Sequence, residues 1–257
     1  MAAVTTVMEQ DARRVAAATV DGDYDWGRLR TRADLKALAE RAGEELEGAS
    51  ALEIMAWCDT EFGPSWAVAS SMADLVMPHL ASRVRPGVDV IFLDTGYHFA
   101  ETIGTRDAAA ATMAITIRSI TPEQSVAEQD AEFGRRLYER NPDQCCALRK
   151  VAPLRKSLSN YGAWASGLRR DEAATRAGVR VVEWDDRRGM VKLNPIAAWT
   201  QDDVDRYIAE NGVLVNPLLF DGYGSIGCAP CTRRIAAGEH ARAGRWSGTA
   251  KTECGLH

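Results

Sequence analysis

"WAVASSMADLVMPHLASRVRPGVDVIFLD", residues 66 to 94, decides the fold of this chain. Its ends, "WAVAS" (66 to 70) and "VDVIFLD" (88 to 94), are short apolar runs that read as buried strands. Between them, "ADLVMPHLASRV" is helical, with a kink expected at Pro78. A strand, a helix and a second strand in so few residues predict a right-handed crossover and a parallel pair.

Working outward, the same rhythm continues. "HFAETIGTRDAAAA" reads as a helix and "MAITIRS" (113 to 119) as a third strand. "AWASG" (163 to 167) and "VRVVEW" (179 to 184) are shorter strand candidates. "TQDDVDRYIAENG" is a helix with Thr200 as its N-cap and Gly212 beyond its end. Upstream, "ADLKALAERAGEELEG" (33 to 48) and "SALEIMAWCDTEFG" are helices, the second stopped by Gly63-Pro64. The expected fold is α/β, a parallel sheet with helices on both faces. We divide the chain into a polar segment and helix (1 to 48), an α/β core (49 to 216) and a glycine-rich C-terminal segment (217 to 257). Residues 1 to 30 show no sustained period and read as loosely attached. No internal repeat is present.

The 257 residues suffice for a sizeable core without staples. A net charge of -5 argues against a nucleic-acid or membrane binder, since both need a basic surface. An anionic small substrate needs only a local positive site. Neither a membrane span nor a signal peptide is legible, so the expected location is cytoplasmic. In that setting six cysteines point to metal binding or catalysis rather than a disulfide frame.

Four of the six form a constellation: Cys145 and Cys146 in "DQCCALRK", Cys228 and Cys231 in "SIGCAPCTRR". Four thiolates can close a tetrahedral zinc site or hold an iron–sulfur cluster. Adjacent cysteines diverge, which suits a cubane with separate irons somewhat better than one zinc. A four-cysteine zinc knot and a redox dithiol at the CxxC stay open as alternatives. Arg149 and Lys150 follow the pair by one helical turn, where positive charge could offset thiolates and seat an anion.

Cys254, in "KTECGLH", reads instead as a reactive thiol on a tail that swings into a site. Cys58, among helical apolar neighbours, reads as core. From Cys228 to His257 five Arg and Lys face two acids, a local charge of +3. Lys251 and His257 flank the thiol. Phosphate signals lie elsewhere: Ser70 and Ser71 between strand and helix, Asp94 at the end of a strand, and Gly167, Arg169, Arg170 and Arg176 after another.

Taken together, "ASSMADLV", "LDTGYHFAET", "CCALRKVAPL", "GLRRDEAATR", "KLNPIAAWT", "GYGSIGCAPCT" and "KTECGLH" resemble the assimilatory adenylyl-sulfate (APS) reductases, relatives of the phosphoadenylyl-sulfate (PAPS) reductases. The resemblance spans roughly residues 50 to 257. It implies a PP-loop-like adenine-nucleotide-binding fold with a mobile C-terminal tail. It also implies a [4Fe-4S] cluster on Cys145, Cys146, Cys228 and Cys231, with Cys254 as nucleophile. The expected reaction is thioredoxin-dependent reduction of APS to sulfite and AMP, in sulfate assimilation, through a Cys254 thiosulfonate. Lys150, Arg169, Arg170, Arg176, Arg242 and Arg245, with Ser70, Ser71, Asp94 and Gly167, are the expected substrate-binding set. The cluster is expected to position and polarise rather than carry electrons. PAPS reductases typically lack the four cluster cysteines, which favours APS. Many relatives read "LDTGRLHPET", so His98 sits one place early and no role is assigned to it. PAPS reduction and a non-catalytic Fe–S or zinc nucleotide sensor are the rival readings. A homo-oligomer is left open.

Overall fold

The computed structural model describes residues 30 to 256. The expectations for residues 1 to 29 and for His257 lie outside the described residues. Six strands form one sheet in the order β3-β2-β1-β4-β6-β5. They are β1 (Trp66–Ala69), β2 (Val88–Leu93), β3 (Ile115–Ile120), β4 (Ala163–Ser166), β5 (Val182–Asp185) and β6 (Met190–Leu193). All neighbours pair in parallel except β5 with β6, a hairpin that ends the sheet.

Side-chain parity explains the layers. Trp66 and Val68, Val88, Val90 and Phe92, and Ala163 and Ala165 enter one apolar cluster. The alternate residues Ala67, Ile91 and Trp164 enter a second cluster on the opposite face. The first is covered by α1 (Arg32–Glu45), α2 (Ala51–Phe62) and α3 (Val76–Val84), through Leu35, Ala39, Ile54, Met55 and Leu80. The helix α4 (Ala100–Thr112) adds Ala109.

After β3 come α5 (Val126–Phe133), α6 (Leu137–Arg140) and α7 (Pro142–Cys146). A π-helical turn, Ala147–Val151, then leads into α8 (Ala152–Leu158). Leu154 and Leu158 of α8 fill the second cluster. The helix α9 (Gln201–Asn211) follows β6.

Local chemistry sets the boundaries. Thr31 with Asp34, Ser50 with Glu53 and Thr200 with Asp203 form reciprocal capping boxes at α1, α2 and α9. Gly63 and Gly212 end α2 and α9 at positive φ. Pro78 is the third residue of α3. Its missing N–H falls where helix donors have no intrahelical partner, so the expected kink has no cause. The strand β6 was not foreseen. It reads "MVKL", and its Lys192 is buried against Glu183 at 2.8 Å, a polar residue inside a sheet.

Within the segment assigned to 1 to 48, the described helix α1 packs on the sheet. Gly43 of α1 lies against β5 so closely that a Cβ there would meet the Val182 carbonyl oxygen at 2.4 Å. Among the described residues no helix is long and apolar enough to cross a membrane.

Candidate active site

The sheet changes winding direction between β1 and β4, and at the carboxyl ends of these strands lies a cleft of about 950 Å³. Such a switch point leaves a crevice because the flanking crossovers depart to opposite sides. Ser70 and Ser71 after β1, and Ser166, Gly167, Arg169 and Arg176 after β4, line it. The C-terminal segment supplies Arg242, Arg245 and Cys254, and the π-helical turn supplies Lys150.

The loop after β1 is tightly braced. The Ser70 hydroxyl accepts from the Met72 N–H at 3.2 Å, and Met72 has φ 59°. A left-handed methionine is strained by about 1–2 kcal/mol and must be held from outside. Asn216, fully buried, does so. Its Nδ2 donates to the Met72 carbonyl at 3.2 Å and to Thr102 Oγ1 at 3.1 Å, while Oδ1 accepts from the Leu218 N–H at 3.1 Å. Asp74 also lines the cleft. Burial raises its pKa, against the pull of the hydrogen bond from the Val76 N–H.

The four paired cysteines converge. Cys145, Cys146, Cys228 and Cys231 line one small cavity with Tyr97, Arg149, Lys150 and Trp246. Burial pushes the Cys145 thiol up to about 12 and Cys231 to about 11, with neighbouring thiols adding to both. The Thr95 hydroxyl lies 3.3 Å from Cys228 Sγ. Among the described residues no three His, Cys, Asp or Glu side chains meet tightly enough to hold a single metal ion. The lining of the cavity offers sulfur and no carboxylate or imidazole, which suits a thiolate-ligated metal centre. Such a centre would displace the thiol protons on binding.

Arg149 and Lys150, adjacent in sequence, do different work. Arg149 is buried and donates to the Thr95 carbonyl at 2.5 Å and to Gln129 Oε1 at 3.1 Å, fixing the loop after β2. Lys150 lines both the cleft and the thiol cavity. Burial works to lower its pKa, but Cys228, Cys254 and Cys146 outweigh this and raise it.

The tail is seated in the cleft. Arg176 grips Glu253 with a two-pronged fork, Nε to Oε1 and Nη2 to Oε2, both at 2.8 Å. Arg242 Nη2 adds a bond to Glu253 Oε2 at 3.0 Å and one to the Thr252 carbonyl at 2.9 Å. Burial pushes the Glu253 carboxyl up, but the Arg176 bonds and the charges of Arg176, Arg242 and Arg245 hold it below its usual range. Lys251 pairs with Asp143 of α7. Lys150, Arg176 and Arg245 all sense the Cys254 sulfur electrostatically. Arg245 lies over the Trp246 ring at 4.4 Å, and its Nε is buried without a partner.

Two expected residues point elsewhere. Arg170 Nε donates to the Val179 carbonyl at 2.7 Å and its Nη2 pairs with Glu47 at 2.6 Å, bracing the turn after α1 rather than facing the cleft. Asp94 caps the Gly96 N–H at 3.2 Å and lies 3.6 Å from Arg106. Both are committed to neighbours on the scaffold side. Arg169 does line the cleft but is shared with Asp171 at 3.2 Å and Gln201 at 2.7 Å. His98 lines the cleft floor and contacts the Leu93 carbonyl through Nε2 at 2.8 Å. Cys58 is fully buried core, as expected. Glu253, Asn216 and Asp74 were not foreseen. For Glu253 the signal was adjacency to Cys254; for the other two there was none beyond type.

Comparison with known proteins agrees with this geometry. A 64% identical protein of Streptomyces coelicolor, matched over 89% of this chain and 97% of its own length, is named adenosine 5'-phosphosulfate reductase. A protein of Mycolicibacterium smegmatis with the same name is 55% identical over 88% of this chain and 96% of its own. Among solved structures, PAPS reductase from Candida auris, in a phosphate complex, superposes with a TM-score of 0.65 at 28% identity. That match covers 77% of this chain and 96% of the other. Residues 64–234, more than half of the chain, match the profile of the phosphoadenosine phosphosulfate reductase domain, and the chain belongs to that family.

Proposed function

We propose that this protein reduces adenylyl sulfate to sulfite and AMP, as a step of sulfate assimilation, with Cys254 as the nucleophile. One observation carries the reading: the only cysteine outside the core and the four-thiol cavity sits in the switch-point cleft facing Lys150, Arg176 and Arg245. The names of the relatives from Streptomyces and Mycolicibacterium support APS over PAPS as substrate.

The adenosine lies across the carboxyl ends of β1 and β4, with the loop at Ser70 and Ser71 and the Gly167 backbone beside it. Lys150, Arg169, Arg176, Arg242 and Arg245 supply charge for the phosphate and sulfate oxygens. Such charge is needed because the attacking sulfur is itself an anion. The Cys254 thiolate attacks the sulfate sulfur, an S–S bond forms, and the S–O bond to phosphate breaks with its electron pair leaving on AMP. A reduced dithiol protein of the thioredoxin kind then attacks Cys254 Sγ. Sulfite departs with the S–S electron pair, and the second thiol of the partner resolves the mixed disulfide. The partner is oxidised by two electrons and the sulfate sulfur is reduced by two.

Cys145, Cys146, Cys228 and Cys231 would hold a [4Fe-4S] cluster. When bound it supplies local charge and rigidity beside Lys150. The test is mass spectrometry after adding APS without a thiol donor. Wild type should gain one sulfonate on Cys254, and Cys254→Ser should gain none. A sulfonate on the Cys254→Ser protein, or none on wild type, overturns the assignment.

A further inference from the structure

The tail is held on both sides of Cys254, and the second grip is made by a side chain that does not line the cleft, although Leu256 itself does. Arg188, in the turn between β5 and β6, donates from Nη2 to the Leu256 carbonyl at 2.8 Å. Its guanidinium is fixed independently of the tail. Nη1 pairs with Asp185 Oδ2 at 2.7 Å, and the group lies 5.0 Å from the centre of the Trp164 ring. Trp164 Nε1 donates to the same Asp185 oxygen at 3.3 Å. The pair is almost dry, with 5% and 7% of the two side chains exposed.

Beside this bond the Leu256 side chain packs on the second core cluster, with Trp164, Met190 and Leu158. Gly255 turns the chain at φ 77° between the thiol and this anchor. Cys254 is therefore suspended between two fixed points, Glu253 on Arg176 and Arg242, and Leu256 on Arg188.

We propose that Arg188 is a positioning residue for the reaction, setting the register of the tail so that the Cys254 sulfur faces the cleft. The inference rests on Cys254 being the nucleophile. The physical basis is pre-organisation. A buried guanidinium paired to Asp185 through Nη1, with Nε enclosed and without a partner, has Nη2 to hold the tail, and leaving that donor unmet as well is costly. A backbone carbonyl two residues past the thiol meets it in only one register. Arg188 does not line the cleft, so its effect is on the rate of attack and not on nucleotide affinity.

The experiment uses the full chain with its metal centre intact. It compares wild type, Arg188→Met, Asp185→Asn/Arg188→Met, Leu256→Ala and the combination of Arg188→Met with Leu256→Ala. Methionine keeps an apolar stem over Trp164, and the Asp185 double variant removes the carboxylate that Arg188→Met would leave unpaired. The readouts are single-turnover sulfonate transfer to Cys254 and the affinity for AMP.

Both Arg188 variants should slow transfer about 10- to 100-fold, the range for losing a hydrogen bond from a charged donor. AMP affinity should stay within about twofold. The effects of Arg188→Met and Leu256→Ala should be far from multiplicative, since they remove one anchor. Unchanged transfer in the Asp185→Asn/Arg188→Met protein, a parallel loss of AMP affinity, or multiplicative effects would overturn the proposal. Absence of sulfonate on wild-type Cys254 would refute the functional reading instead, before any variant is compared.

Discussion

Replacing Asn216 with alanine should damage stability and the loop at Ser70 and Ser71 together. The side chain is fully buried and makes three hydrogen bonds, to the Met72 carbonyl, Thr102 Oγ1 and the Leu218 N–H. At about 1 kcal/mol net per bond the loss is about 3 kcal/mol, and the partners left unpaired in a dry site raise it toward about 5 kcal/mol. For a chain of this length that lowers the melting temperature by roughly 10 °C. The backbone bond from the Asn216 N–H to the Ala73 carbonyl survives, so the segment should still dock. Met72, however, loses the bond that holds its left-handed backbone and can relax by about 1–2 kcal/mol. The loop carrying Ser70 and Ser71 should then shift, and AMP should bind more weakly at temperatures where the protein remains folded. Thermal unfolding and AMP titration on Asn216→Ala, with the exposed Asn160→Ala as control, give both numbers. A stability loss below about 1 kcal/mol with unchanged AMP affinity would refute the reasoning.

Three further outcomes are expected. Lys150→Ala should slow sulfonate transfer to Cys254 while iron content stays at the wild-type level, whereas Lys36→Ala, half exposed on α1, should change neither. Iron analysis of anaerobically purified protein should give about four irons per chain on the four paired cysteines; stoichiometric zinc without iron would contradict this. The grip on Glu253 should depend on pH in a definite sense. Its seated carboxyl lies below the ordinary 4.5, so the stabilisation is present above that value and is lost as pH falls through the seated value. Hydrogen exchange of residues 250–256, corrected for intrinsic rates, should therefore rise at pH 3.5 relative to pH 6.5. Equal protection at both would show that the Arg176 fork does not hold the tail.

The sheet was legible in the sequence where its strands form uninterrupted apolar runs or, as in the half-exposed edge strand β3, are rich in β-branched residues. β1, β2 and β3 read as apolar runs and fall within one or two residues of the expected ranges. β6 was hidden because Lys192, although buried, is tied to Glu183 and lies 5.4 Å from the Trp164 ring centre, so its chemistry is satisfied only in three dimensions. The convergence of Cys145 and Cys146 with Cys228 and Cys231 was legible from type and pairing, and Cys254 from its solitude. Direction was not legible. Arg169 and Arg170 are neighbours in sequence, yet one lines the cleft and the other braces the turn after α1, since the chain passes there from extended backbone into a 3-10 turn. Asn216 and Arg188 escaped notice because their partners lie 144 and 68 residues away.

Leu256 does more than anchor a thiol. It closes part of the second face of the sheet, over a cluster that includes the fully buried Trp164 and the nearly buried Met190. In the proposed reaction a partner thiol reaches Cys254, and lifting the tail to admit it would wet that apolar strip. Wetting apolar surface carries a positive heat-capacity change, and its free-energy cost shrinks on cooling. Cold should thus loosen the tail before it loosens the fold, and the indole of Trp164 would report the event as a red shift in its emission.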